Sequence, residues 1–295
     1  MSAASERSPP ALFCFGLGYT AGFLSRVLKA EGWRVLGTCR AADAPRRKVA
    51  DEIEMRVFDR AHPLADARAI LAGATHLLSS VPPDQAGDPV LDLHGEDIAA
   101  ARGLRWIGYL STTGVYGDRA GGWVDEAAQL LPTGERGRRR VDAETRWLEL
   151  QRRHGSPVHI FRLAGIYGPG RNVLDTVRSG AARRIEKPGQ VFSRIHVSDI
   201  AQVLRASIAK PEPGAIYNVC DDDPAPPADV IAFACGLLGV PLPPSVPIEQ
   251  AELSEMALSF YADNKRVSNR RIKEELGVSL RFPSYRDGLA MLLKE

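Results

Sequence analysis

Cysteine is scarce: the chain holds four in 295 residues, Cys14, Cys39, Cys220 and Cys235, and no C-x-x-C pair. That spacing excludes a disulfide-dense scaffold and fits small buried thiols in a reducing compartment. An excess of charge of one sign is also missing. With 38 Lys and Arg against 36 Asp and Glu, the formal net charge is +2. So small a charge excludes a global nucleic-acid or membrane-surface role. No apolar run approaches a membrane span, and the opening MSAASERSPP lacks the apolar stretch of a signal peptide. A cytoplasmic location is expected. Among the six histidines, His154 and His159 flank a Gly-Ser-Pro break and share no helix face, so no metal is expected. The sequence contains no internal repeat, no Walker loop and no Ser/His/Asp constellation.

What is present is alternation. The first ten residues, polar and Pro-rich, read as a disordered lead-in. ALFCF (11–15) reads as a buried strand, 19–31 as a helix, WRVLGTC (33–39) as the next strand. Strands follow at 55–58, 75–81, 105–112 and 157–163, separated by helices near 64–72, 90–102 and 138–151. Parallel strands need crossovers and crossovers are usually helices, so the pattern predicts an α/β fold, a doubly wound parallel sheet of Rossmann type over 11–164. Beyond that point Gly and Pro punctuate shorter elements. Residues 165–295 read as a smaller C-terminal substrate lobe, with part of 190–220, the segment 196–209 in particular, expected to return to the main sheet.

The first strand runs into GLGYTA and opens a helix, the G-x-G-x-x-A form of the dinucleotide fingerprint. Gly16 permits the tight turn, Gly18 lets a pyrophosphate approach the backbone, and Ala21 lets helix and strand pack closely. The amides near Tyr19 and Thr20 then face the phosphates. An NAD site wants an acid about 20 residues past the glycines. Here stand Gly37, Thr38, Cys39 and Arg40, then Arg46 and Arg47, with no carboxylate before Asp43. A guanidinium suits a 2′-phosphate that a carboxylate repels, so NADP is the expected cofactor, with NAD the alternative.

Several later motifs, in order, resemble those of the extended short-chain dehydrogenase/reductase superfamily, in its NAD-dependent epimerase/dehydratase branch. They are YLSTTGVYG (109–117), WVDE (123–126), RLAGIYGPGRN (162–172), RIHVSDIAQVL (194–204) and YNVCDDDPAP (217–226). Within it, SSVPPD and SRIHVSDIA resemble a YeeZ-like subgroup. The resemblance implies that Thr112 is the catalytic Ser/Thr. It also implies that Asp59 meets the adenine amine, Ser79 and Ser80 lie beside the ribose and pyrophosphate, and Leu163 and Ile166 pack on the nicotinamide side. A helix cap for Asp59, strand-end hydroxyls and core packing are the structural alternatives.

The family's Tyr-x-x-x-Lys pair is absent. Its two places hold Arg136 and Arg140, within GERGRRR. Arginine stays protonated, so Arg136 is no ordinary general acid or base, whereas Arg140 still offers a charge and hydrogen bonds to a ribose. Tyr116, Tyr167 and His196 are the substitutes weighed as proton carriers. Arg162, Tyr167, Arg171 and Arg194 are candidate substrate-binding residues; ion pairs with Asp175 or Asp199 are the plainer reading of these arginines. The basic helix is expected to turn Val141, Thr145 and Leu148 inward. Asp221, Asp222 and Asp223 read as a solvated turn with one aspartate capping the next helix.

Two functions fit. One is an NAD(P)-dependent oxidoreductase or epimerase/dehydratase-like enzyme acting on a small molecule, a sugar nucleotide or another anionic compound. The other is a non-catalytic NADP-binding sensor or scaffold. Neither needs a nucleic acid or a membrane, and the helix-mediated pairing usual among such relatives leaves a homodimer open.

Overall fold

The computed structural model describes residues 9–46 and 53–294. Most of the expected lead-in, through residue 8, lies outside the described residues, as does Arg47. The first part of the chain forms β1 (Ala11–Phe15), α1 (Tyr19–Ala30), β2 (Arg34–Cys39), β3 (Glu54–Val57), α2 (Ala67–Ala72), β4 (His76–Ser79), α3 (Pro89–Ala100) and β5 (Trp106–Thr112). Then come β6 (Trp123–Val124), α4 (Glu135–His154) and β7 (Val158–Leu163). The rest supplies β8 (Gly165–Tyr167), α5 (Val173–Arg178), β9 (Arg184–Glu186), β10 (Arg194–His196), α6 (Val197–Ala209), β11 (Ile216–Val219) and α7 (Pro227–Leu238). The last elements are β12 (Ser245–Pro247), α8 (Glu255–Tyr261), β13 (Arg266–Val267), α9 (Arg270–Glu274) and α10 (Tyr285–Leu292).

Seven strands make one sheet in the order β11-β7-β5-β4-β1-β2-β3. The ladders of β1 with β2 and β4, of β2 with β3 and of β4 with β5 are parallel. This is the expected Rossmann-like fold, a parallel sheet flanked by helices. β1, β4 and β7 are buried along their whole length, which is why their sequences are apolar runs rather than alternations. Within 190–220 it is β11 that joins the sheet. Residues 197–209 instead form α6, because Ile200, Val203, Leu204 and Ser207 recur at helical spacing and are buried.

The chain divides into two compact units. One takes Met1–Leu110, Ala143–Ile160 and Ile208–Ala215; the other takes Ser111–Asp142, Phe161–Ser207 and Ile216–Glu295. The division thus falls inside β5 and β7 rather than once after residue 164. In the first unit the inward face of α4 differs from the expected one. Val141 and Leu148 are half-buried and Thr145 is exposed, while Ala143, Glu144 and Trp147 are buried. The large indole sets the rotation. Trp147 stacks on Tyr109 with centroids 5.6 Å apart, and its Nε1 donates to Asp88 Oδ2 at 2.9 Å. Asp88 also caps α3, accepting from the amides of Val90 and Leu91. Among the described residues no helix is long and apolar enough to cross a membrane.

Candidate functional site

In the first unit the strand order reverses between β1 and β4, and the crevice beyond the carboxyl ends of such strands is where doubly wound sheets bind ligands. The glycine turn sits there. Gly16 has φ of +78°, a conformation costly for any residue with a Cβ. A Cβ on it would also stand 3.0 Å from Ser80 Oγ and 3.1 Å from Val81 Cγ2. Thr38 holds the turn from β2: its Oγ1 accepts from Gly16 N at 2.8 Å and its carbonyl from Leu17 N at 2.7 Å. Gly37 makes room for this, since a Cβ there would lie 2.7 Å from Leu17 Cβ. In the sequence both residues stand out only as the non-acidic end of β2; their support of the turn left no signal beyond a glycine and a threonine inside an apolar run.

Gly18 is exposed, and no atom lies within 4 Å of the place its Cβ would take. No side chain caps α1. The turn therefore presents open space beside an uncapped helix start. Tyr19 stacks edge-on to Phe23, while Thr20 and Ala21 are buried. Ser80 Oγ donates to the Gly16 carbonyl. Ser79 is fully buried, its hydroxyl without a partner among the described residues.

Arg40, at the end of β2, is exposed and pairs with Asp43 at 2.7 Å. Asp59 is partly exposed and accepts from Ala41 N at 3.0 Å, Ala61 N at 3.1 Å and His62 Nδ1 at 2.7 Å. The Ala41 amide above all, then His62, holds its carboxyl below the ordinary value. Asp59 thus ties the loop after β2 to the turn after β3.

In the second unit Thr112 Oγ1 accepts from Gly114 N at 3.1 Å. Among the described residues its proton has no acceptor, so the hydroxyl is oriented yet still able to donate. The loop that follows is clamped. Gly117 has φ of +68°, and a Cβ there would fall 1.8 Å from the Leu131 carbonyl oxygen. Gly137, in the first turn of α4, leaves no room for a Cβ between Pro132 Cβ at 2.6 Å and the Gly114 oxygen at 2.9 Å. Lys265, nearly buried, donates to the Gly117 carbonyl at 2.9 Å and to Asp263 at 3.0 Å. Nothing in the sequence around it marked this lysine. Arg136 is exposed, its guanidinium 5.4 Å from the Phe260 ring centroid; Arg140 is half-buried one turn on.

The residues weighed as proton carriers are internal. Tyr116 is fully buried, donates to Asn218 Oδ1 at 2.7 Å and accepts from Arg162 Nη1 at 2.9 Å. Burial pushes its hydroxyl up to about 12. Arg162 is buried too, so it serves this network, with Glu126 accepting from Asn218 N at 2.7 Å, and not a surface. Tyr167 donates to the Ser284 carbonyl at 3.3 Å. His196 packs against Phe282, and burial holds it down at about 4, neutral at pH 7. Asp199 accepts from the amides of Arg281 and Phe282, and Asp175 pairs with Arg178.

Four sequence-derived candidates do converge. Ile166, Tyr167, Arg171 and Arg194 line one pocket of about 650 Å³ within this unit. Leu163 is buried. The three aspartates after β11 do not cap α7: its N-cap is Pro226, with no side-chain cap among the described residues. Asp222 accepts from Asn269 and Lys273, Asp223 pairs with Arg286, and Asp221 is buried.

Burial lifts the Asp221 carboxyl to about 8, and its Oδ2 has no partner among the described residues. The unfolded chain releases this proton near pH 4. Between those values the folded protein holds a proton that the unfolded one has lost, so stability from this group falls as pH rises from about 4 to about 8. Asp221→Asn is therefore expected to raise the melting midpoint at pH 8 and to change it little at pH 4. A midpoint difference that stays flat across that range overturns the assignment.

No family model matches this chain. It is 29% identical to protein YeeZ of Escherichia coli K12 over 291 residues, 95% of this chain and 97% of that protein. A solved structure of a conserved protein of unknown function from Silicibacter pomeroyi is 55% identical, covers 97% of this chain and 98% of its own, and superposes with a TM-score of 0.87. The dTDP-glucose 4,6-dehydratase of Bacillus anthracis, solved in complex with NAD, is 15% identical with a TM-score of 0.76, covering 97% of this chain and 96% of its own. At that identity the likeness is one of fold.

Proposed function

We propose that this chain is a protein of the extended short-chain dehydrogenase/reductase type that binds a nicotinamide dinucleotide, NADP in preference to NAD, and acts on an anionic small molecule. The observation that carries this reading is the glycine turn: Gly16 at a positive φ and held by Thr38, Gly18 exposed beside open space, and a helix start that no side chain among the described residues caps. Those features fit a diphosphate, which takes backbone amides and a helix dipole in place of a cap. The turn, Ser80 and Asp59 would hold the dinucleotide's phosphates and adenosine. When bound, such a cofactor supplies hydride exchange with a carbon of the substrate.

Among the described residues, Thr112 is able to orient a reacting oxygen, because Gly114 fixes its hydroxyl while leaving the proton to donate. Arg136 stands where a tyrosine would carry the proton, and Tyr116, Tyr167 and His196 are buried. Loss of an acid/base group typically costs about 10²- to 10⁴-fold in rate. That arrangement supports a slow enzyme on a sugar nucleotide or another anionic compound, Arg171 and Arg194 gripping its charge. It also favours a second reading, an NADP-binding sensor or scaffold without catalysis.

Titration with NADPH and NADH tests the premise; absence of binding by either defeats it. Cofactor choice is tested at Arg40, whose exposed guanidinium lies beyond β2 with Asp43 as its ion-pair partner. Arg40→Ala removes the cation and leaves Asp43 to repel a 2′-phosphate. NADPH affinity is expected to fall by about 10-fold or more, in the range of a lost charge-assisted hydrogen bond, with NADH affinity little changed. Equal losses for both remove Arg40 from that role.

A further inference from the structure

Arg194 enters its pocket half-engaged. Its Nη1 donates to the carbonyls of Phe192 at 2.8 Å and Ala225 at 3.0 Å. Among the described residues no hydrogen bond engages Nε or Nη2, and the residue lines the pocket. Burial opposes this charge, yet arginine keeps its proton, so a cation with unmet donors is costly until an anion completes it. Tyr285 lines the same pocket, 1% exposed, its ring centroid 6.0 Å from the Arg194 guanidinium.

The remaining lining limits what the anion is attached to. Ile166, Val230, Leu289 and the Tyr167 ring present apolar surface. Of its charged lining residues, Asp175 is already paired with Arg178. The donor pair left open on Arg194, amid this apolar lining, matches a single carboxylate on an apolar body. We propose that this pocket takes a monocarboxylate with a flat apolar or aromatic body, its carboxylate on the Nε and Nη2 donors of Arg194. The assignment rests on the reading above only in treating this pocket as the substrate side, and it narrows the anionic substrate to this class.

Calorimetric titration of the full chain with 3-phenylpropionate, 3-phenylpropanamide and UDP-glucose tests it, with NADPH titrated in parallel. The acid is expected to bind with sub-millimolar affinity and the amide about 10-fold more weakly or worse, the loss expected for a charge-assisted contact. Arg194→Gln should bring the acid down to the level of the amide. Should that variant fail to fold, Ser179→Trp, at the exposed rim of the pocket, must abolish acid binding with an unaltered melting midpoint. Equal affinity for acid and amide overturns the proposal, as does UDP-glucose displacing the acid. NADPH binding without acid binding defeats this inference alone; acid binding without NADPH binding defeats the cofactor reading alone.

Discussion

Gly18→Val leaves the fold standing and abolishes dinucleotide binding: that is the expected result if the glycine turn is a diphosphate site. The residue has φ of −86° and ψ of −157°, an extended conformation open to any side chain. Among the described residues, apart from its chain neighbours, no atom lies within 4 Å of the Cβ position, so none of them resists a valine there. The only occupant it displaces is a ligand. Affinity for NADPH is expected to fall on the order of 100-fold, about 2.8 kcal/mol, with a melting midpoint close to that of the unaltered chain. Gly16→Val provides the contrast. Its backbone is left-handed and its Cβ would meet Ser80 and Val81, so binding and stability should fall together, the latter by about 1–3 kcal/mol. Calorimetry with NADPH beside thermal melts separates the two. A Gly18→Val protein that still binds NADPH normally removes the turn from the cofactor's path.

Gly117→Val is expected to be the most destabilising single change in the loop that carries Thr112. The obstacle is backbone, not a movable side chain: the new Cβ would lie 1.8 Å from the Leu131 carbonyl oxygen, at a φ of +68°. Relief requires moving the segment that leads into α4, which Gly137 in turn holds against Gly114. Losses of about 4 kcal/mol or more are exceptional and follow from this kind of steric and backbone conflict. The melting midpoint should drop by many degrees, or no folded protein should be recovered. Lys265→Met tests the same clamp more gently, since it removes the donor to the Gly117 carbonyl and leaves the chain length of the side chain in place. A Gly117→Val protein melting like the unaltered chain shows that the loop is free to move.

Much of this was legible beforehand, for identifiable reasons. Strands such as ALFCF are apolar throughout because both faces are covered, and that pattern survives in one dimension. The glycine turn was legible because φ at Gly16 restricts the residue type. Tyr167, Arg171 and Arg194 were found because the motifs that hold them are short and local, and the pocket gathers them. The same reasoning misplaced Arg162, since a guanidinium beside a substrate loop and one buried against Tyr116 have the same letters around them. It also turned α4 to the wrong face, because a stripe of Val141, Thr145 and Leu148 gave no hint that Trp147 would stack on Tyr109.

The amino-acid order by itself determined the parallel α/β architecture and the place of the glycine turn. These depend on periodicity, on backbone angles that few residues tolerate, and on residue chemistry, all of which are local. Only the tertiary structure decided which polar groups are inside and already satisfied, and which are left with donors to offer. Tyr116 and Arg162 partner each other from 46 positions apart, and Lys265 reaches Gly117 across 148. Such pairings depend on which distant segments the core brings into contact, and desolvation then fixes their charge, so no window of sequence contains them.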